Sequence, residues 1–295
     1  MRSGGGGSAA LRAEALGARL PPLVVAADRV AATVLQGVHG RRRSGQGDAF
    51  WQFRPFLPGD SAARVDWRQS AKSDRLFIRE TEWEAAQTVA LWRDASASMG
   101  WRSGPAVPPK RERAELLLLA TASLLLRGGE RVRLIGGPGR NHAGRAGLQA
   151  VADALGRPGA AGVAEPGVPV PDPALPRHAR AVLFGDFLSP LEDIRRSVSA
   201  LAALPLHGHL VQILDPAEET LPYRGRIRFE GLEAEAPSLV PRVERVREVY
   251  EERLRLHRAG VAAIASAAGW GFLTHRTDQP PGQVLLALWQ ALAPQ

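Results

Sequence analysis

The chain of 295 residues contains no cysteine. That excludes disulfides, thiolate metal sites and cysteine nucleophiles. Lysine is nearly absent as well. Lys72 and Lys110 are the two, and every other basic residue is arginine. With abundant Ala, Gly and Pro, the net charge of +8 therefore reads as gene base composition rather than as selection for a polyanion. Arg41-Arg42-Arg43 reads as a solvated turn, and no zinc-finger, helix-turn-helix or RNA-recognition signature accompanies it. Long apolar runs are missing too. Leu116 to Leu126 is too short to cross a bilayer, and Leu23 to Val38 is interrupted by Asp28 and Arg29. The N-terminus has a glycine run where a signal peptide has its apolar centre. A cytoplasmic protein is the expectation. At 45% apolar residues the chain has the material for an ordinary folded core.

What is present changes along the chain. Residues 1–37 form a Gly/Ser-rich tail, a short helix from Ala9 to Leu20 stopped by Pro21-Pro22, and an apolar stretch, Leu23 to Leu35, that forms a helix or packs on the main body. Residues 38–84 form a β-rich block. Phe50–Phe53 and Leu76–Arg79 are its β-prone pieces and Pro58-Gly59-Asp60 its turn. Arg54, Asp60, Arg64 and Asp66 are expected to pair with one another in partial burial; the functional alternative is a recognition surface.

From residue 85 to 295, strand and helix alternate. The expected strands are Thr88–Arg93, Arg131–Ile135, Arg180–Asp186, Gly208–Asp215 and Trp270–Thr274, with Arg226–Glu230 as an edge strand. The expected helices are Arg111–Arg127, Leu148–Leu155, one from Ser189 to about Leu204, Arg242–Ala268 and Val284–Leu292. Ser189-Pro190-Leu191-Glu192 carries a full set of helix-start signals, with Ser189 as cap and Glu192 closing a capping box. The repeated units predict an α/β fold, a doubly wound, mostly parallel sheet covered on both faces, with the small β-rich block ahead of it. Ligands of such sheets bind where the strand order reverses.

Asp94-Ala95-Ser96-Ala97-Ser98 follows the first of these strands. A carboxylate and two hydroxyls at alternate positions are ligands suited to a hard divalent cation. Asp186 ends a later strand. If the two strands straddle the reversal, Asp94, Ser96, Ser98 and Asp186 converge and supply four oxygen-bearing side chains, enough for a magnesium ion that keeps some waters. As isolated residues the two aspartates read as caps or turn formers. His207 and His209 alternate on a strand without a third ligand and read as surface and core residues. Trp67, Trp83 and Trp92 read as packing residues, and His275 with Asp278 lacks a nucleophile.

The Asp94–Ser98 motif with Asp186 resembles the metal-ion-dependent adhesion site of von Willebrand factor type A domains. The block from Gly47 to Glu84, with Arg54, Gly59-Asp60, Arg64, Asp66-Trp67, Ser70-Ala71 and Arg79-Glu80, resembles the bacterial domain-of-unknown-function-58 family (DUF58). Asp215-Pro216-Ala217-Glu218 and Thr277-Asp278-Gln279-Pro280-Pro281 look like that family's later segments. The resemblance implies a six-stranded von Willebrand A-like domain. It also implies a non-enzymatic protein-binding module that works with a MoxR-type AAA+ ATPase in maturing or remodelling protein complexes, and a metal ion on Asp94, Ser96, Ser98 and Asp186. The adhesion site normally adds a threonine. The matching loop here, Gly136 to Leu148, has Asn141 and His142 but no Ser or Thr. That leaves a weak site, a site rebuilt with Asn141, or an empty one. A magnesium-dependent phosphohydrolase, with Asp94 as nucleophile or ligand, is the competing reading. Against it, no lysine is expected near the sheet-end segments; Lys110 is the nearest in sequence and falls in or beside a loop. A nucleic-acid binder using Arg41 to Arg43 ranks third.

Overall fold

The computed structural model describes residues 22–38, 50–56, 65–72, 75–81, 87–156, 167–171, 174–176, 179–204, 206–232 and 236–292. The readings of Ala9–Leu20, Arg41–Arg43, the Pro58–Asp60 turn, Arg64 and Trp83 fall outside these residues, as does the side chain of Arg54. The chain divides into two compact units, Met1–Val38 with Gln87–Gln295, and His39–Ala86.

The larger unit opens with helix α1 (Pro22–Val38). Val24, Ala27, Ala31 and Val34 fall at spacings of three and four, so they share one face, and that face is buried. In the smaller unit, strands β1 (Phe50–Pro55) and β2 (Phe77–Thr81) pair antiparallel. Between them the one-turn helix α2 (Trp67–Ser70) is capped by Asp66, whose Oδ1 accepts from the Gln69 N–H at 2.9 Å. Asp66 thus serves the backbone of its own turn. Ser70 Oγ donates to Asp66 O and accepts from the Phe77 N–H, which turns Ser70 inward. Trp67 at the other end of the turn points outward and is 66% exposed, so the packing role expected of it is not found.

The larger unit is built on a six-stranded sheet ordered β10-β7-β6-β3-β4-β5. Its strands are β3 (Thr88–Arg93), β4 (Arg131–Leu134), β5 (Asn141–His142), β6 (Arg180–Gly185), β7 (His207–Leu214) and β10 (Gly271–Arg276). All pairs are parallel except β4 with β5. The fold is α/β with helices on both faces, of the Rossmann-like kind. Alternation along each strand splits the core in two. Val89 and Leu91 of β3, Val182 and Phe184 of β6, and Val211 and Ile213 of β7 face one side; Ala90, Trp92, Ala181, Leu183 and Leu210 face the other. Since both faces are covered, the strands read as near-continuous apolar runs.

On the first side lies α3 (Lys110–Arg127), packed among α1, α4 (Gly144–Leu155) and α8 (Pro281–Ala291). Its leucines are buried almost all round, as the sequence implied, and Gly129 just past its end takes a left-handed φ of 84°. On the second side lie α5 (Leu191–Ala202) and α7 (Arg247–Ala267).

Several elements depart from expectation. The two-residue β5 lies within the stretch read as a loop, being too short to carry a periodic signal. Helix α5 starts at Leu191 with Pro190 as N-cap and no side-chain cap, so the box expected from Ser189 does not form; Glu192 instead meets Arg195 at 2.8 Å. The completed box belongs to α6 (Pro216–Thr220), where Asp215 accepts from the Ala217 N–H and Glu218 from the Asp215 N–H. Strand β8 (Ile227–Phe229) pairs with β9 (Ser238–Val240) in a separate ribbon rather than joining the sheet edge, because a local antiparallel partner needs no crossover. Along α7 the apolar pattern is buried only late: Val261, Ile264 and Ala265 are covered, while Val249 and Leu256 are exposed. No described helix is long and apolar enough to cross a membrane.

One close approach tests this packing. A Cβ built on Gly208 of β7 would overlap the Trp270 ring, which is fixed by its Nε1–H donating to Leu206 O at 2.9 Å. Gly208→Ala is expected to lower stability by about 1–3 kcal/mol in urea denaturation; an unchanged midpoint would mean that Trp270 moves freely.

Candidate functional site

Strand β3 bonds to β4 on one flank and to β6 on the other. The chain leaves β3 for β4, then returns across β3 to build β6, so the order reverses between β3 and β6. Asp94 follows β3 and Asp186 follows β6. Both carboxylates therefore stand at the switch point, as the sequence argument required. Arg93 pairs with Phe184, and the Asp94 N–H donates to Phe184 O at 2.8 Å, which extends the ladder to the carboxylate itself. Gly185 makes this approach possible: a Cβ there would lie 3.0 Å from Asp94 Cβ.

The four expected residues come together. Asp94 is fully buried, and its Oδ1 accepts from the Ser96 N–H at 2.8 Å. Ser96 Oγ and Ser98 Oγ are 3.1 Å apart. Ser98 Oγ donates to Asp186 Oδ2 at 2.7 Å, joining the two loops. Asp186 is 3% exposed; its Oδ1 accepts from the Leu188 N–H, and Gln212 of β7 donates to its carbonyl. Asn141 does not join them. It pairs with Arg133 inside β4, two strands away from β6, and is exposed.

Two further residues complete the cluster. Lys110, at the first position of α3, is 0% exposed. Its Nζ donates to Asp186 Oδ2 at 2.8 Å and to Glu218 Oε1 at 2.5 Å. The expectation that no lysine lies near the sheet ends is thus overturned. Pro108-Pro109 sets the start of α3 one residue earlier than the sequence suggested, and that puts Lys110 on the helix at its inward end. Glu218 arrives because α6 begins directly at the end of β7. A strand followed by Asp-Pro-x-Glu was the available signal for it. Tyr250 of α7 donates to Glu218 O at 2.6 Å, and Arg111 donates to the carbonyls of Ala95 and Ser96 at 2.8 and 3.1 Å.

Burial by itself would lower the Lys110 pKa, but the Asp186 and Glu218 carboxylates outweigh it and hold the group above its ordinary value. Burial pushes Glu218 up, and Lys110 and the Asp215 N–H pull it back only in part. These shifts favour opposite forms of one ion pair. The geometry supports the charged pair, since both Glu218 oxygens accept, Oε1 from the ammonium and Oε2 from the Asp215 N–H. As folded, the set does not fit the magnesium ion implied by the sequence resemblance. The Asp186 oxygen nearest the serines already takes a hydroxyl and an ammonium, and a dication on that oxygen would stand against a positive charge.

A second polar cluster lies at the β10 edge. His275, 4% exposed, stands with its Nε2 3.3 Å from Arg113 Nη1, while Arg113 also donates to Thr277 O and Gln279 O. Burial and the Arg113 charge push the His275 pKa down to about 4, against a weaker opposing pull from Asp278. The adjacent cleft is lined by Glu219, Arg258 and Arg276, and Glu219 pairs with both arginines. His209 of β7 is half-buried and His207 exposed, which fits the structural reading of both.

The fold and site define a doubly wound α/β protein with a hydroxyl–carboxylate–lysine cluster at its switch point. The chain belongs to the family described as Protein of unknown function DUF58, which matches residues 52–260. It is 28% identical over 274 residues to Uncharacterized protein Rv1480 of Mycobacterium tuberculosis, covering 83% of this chain and 80% of that one. Uncharacterized protein Mb1516 of Mycobacterium bovis matches with the same identity and coverage. No solved structure matches the chain.

Two outcomes are expected. Lys110→Met strands the buried Asp186 and the partly buried Glu218 and should cost about 3–5 kcal/mol in chemical denaturation; a loss under about 1 kcal/mol would mean that the pair is solvated. His275 is neutral when folded and titrates near 6.5 when unfolded, so the unfolded chain binds the extra proton between those values. Its contribution is complete above pH 6.5 and falls away by up to about 3 kcal/mol as pH drops toward 4. His275→Gln should flatten that part of a stability–pH curve.

Proposed function

We propose that this chain is a non-enzymatic protein-interaction module whose larger unit is a von Willebrand A-like domain. It acts in the cytoplasm with a MoxR-type AAA+ ATPase in maturing or remodelling a protein complex. The carrying observation is that Asp94, Ser96, Ser98 and Asp186 meet on two loops that flank the reversal of strand order. Those loops form the surface a partner would read. Ser98 on one loop bonds Asp186 on the other, and Lys110 bonds that same carboxylate. A partner that pulls on one loop therefore strains the other, and binding is coupled to the ends of the sheet.

The competing reading, a magnesium-dependent phosphohydrolase, gains from Lys110, a cation bonded to Asp186. It loses because that ammonium is fully enclosed and spent on Asp186 and Glu218 rather than open to a phosphate. The decisive measurement is binding of the purified chain to a MoxR-type ATPase from the same organism by calorimetry. Wild type is expected to bind, and Ser98→Ala to weaken binding by about tenfold while keeping its melting temperature within a few degrees. Absence of binding removes the partner. Steady hydrolysis of phosphate esters that Asp94→Asn abolishes would install the enzyme reading instead.

A further inference from the structure

The cluster holds its own cation. We propose that the Lys110 ammonium takes the place of a divalent ion at this site, so that Asp94, Ser96, Ser98 and Asp186 form a complete, metal-independent cluster that ties the two loops together from beneath. Three observations carry this. The ammonium lies 2.8 Å from Asp186 Oδ2, the same oxygen that accepts from Ser98 and so the one a shared ion would need. It is enclosed and held from behind, because Glu218 Oε1 takes a second of its hydrogens. Glu218 in turn is fixed by the capping box of α6, and Asp215 of that box also accepts from the Ser103 N–H in the loop before α3. The lysine thus cannot swing out without breaking contacts to two separate segments, the loop after β6 and helix α6. A mobile surface lysine would make room for an ion, whereas this one is built in.

The chemistry follows. A divalent ion attracts a partner's carboxylate because it offers an open coordination position. An ammonium whose hydrogens go to Asp186 and Glu218 offers no such position, and it offsets part of the carboxylate charge from within. A partner then meets loop backbone and the half-buried Ser98 hydroxyl rather than a metal, and its affinity does not follow divalent concentration. Arg111, seated on the Ala95 and Ser96 carbonyls, places a second fixed cation against the loop after β3.

The claim concerns the site alone, and a metal titration reads it without any partner, so its failure is separable from that of the functional reading. The full chain is titrated with MnCl2 and followed by calorimetry and melting temperature. Wild type is expected to show no site tighter than about 10 mM. Lys110→Ala, which opens the carboxylates, is expected to bind Mn2+ at least about tenfold more tightly. That gain should vanish in Lys110→Ala/Asp186→Asn. If Lys110→Ala does not fold, Lys110→Ala/Glu218→Gln removes the ammonium together with one of its carboxylates and carries the same expectation. Wild-type binding tighter than about 10 mM that Asp186→Asn abolishes would overturn the proposal. So would a folded Lys110 variant with no gain in Mn2+ affinity. The wild-type arm decides on its own if neither variant folds.

Discussion

The ion pair that Lys110 makes with Asp186 and Glu218 is the constraint on which the sheet-end loops depend. It joins the start of α3, the end of β6 and the start of α6, three segments far apart in sequence. A buried charge is tolerable only when its partners are fixed. Here the fixing is done locally. Asp186 receives the Leu188 N–H and the Ser98 hydroxyl, and Glu218 closes a capping box. Each carboxylate also accepts a backbone N–H of its own turn, so the lysine bonds to acceptors whose positions those turns fix.

Much of this was legible in the sequence, for definite reasons. The strands are buried on both faces, so they announced themselves as apolar runs, and α3 did so by its leucines. The two aspartates were legible because each directly follows such a run. Lys110 and Glu218 were less so. A lysine beside two prolines, ahead of a leucine-rich stretch, looks like a solvated helix start. Its burial depends on where α6 and β6 stand, which is tertiary information. Ser189 and Asp215 make the same point for caps. Both carry the right residues at the right spacing, but only Asp215 has its proline at the first helical position; Pro190 occupies the cap position itself.

Where the sequence misled, a local pattern met a non-local competitor. Trp67 was expected to pack, but a one-turn helix buries one end only, and Ser70 took that end. The pattern of α7 promised one continuous apolar face, yet the sheet lies under only its later turns, leaving Val249 and Leu256 uncovered. Asn141, the one amide in the loop where a threonine ligand was sought, was drawn into pairing with β4 at the opposite flank.

The scarcity of lysine gives the enclosure of Lys110 a practical consequence. The chain carries two side-chain amines, one exposed, at Lys72, and one sealed. An acylating reagent reacts only with an amine that is both reachable and momentarily uncharged. Lys72 would be consumed at the reagent's intrinsic rate and serve as the internal clock. Lys110 would be consumed only as often as the loops around it come apart. The ratio of the two, read by mass spectrometry on the unaltered protein, is a direct measure of how often the sheet end opens.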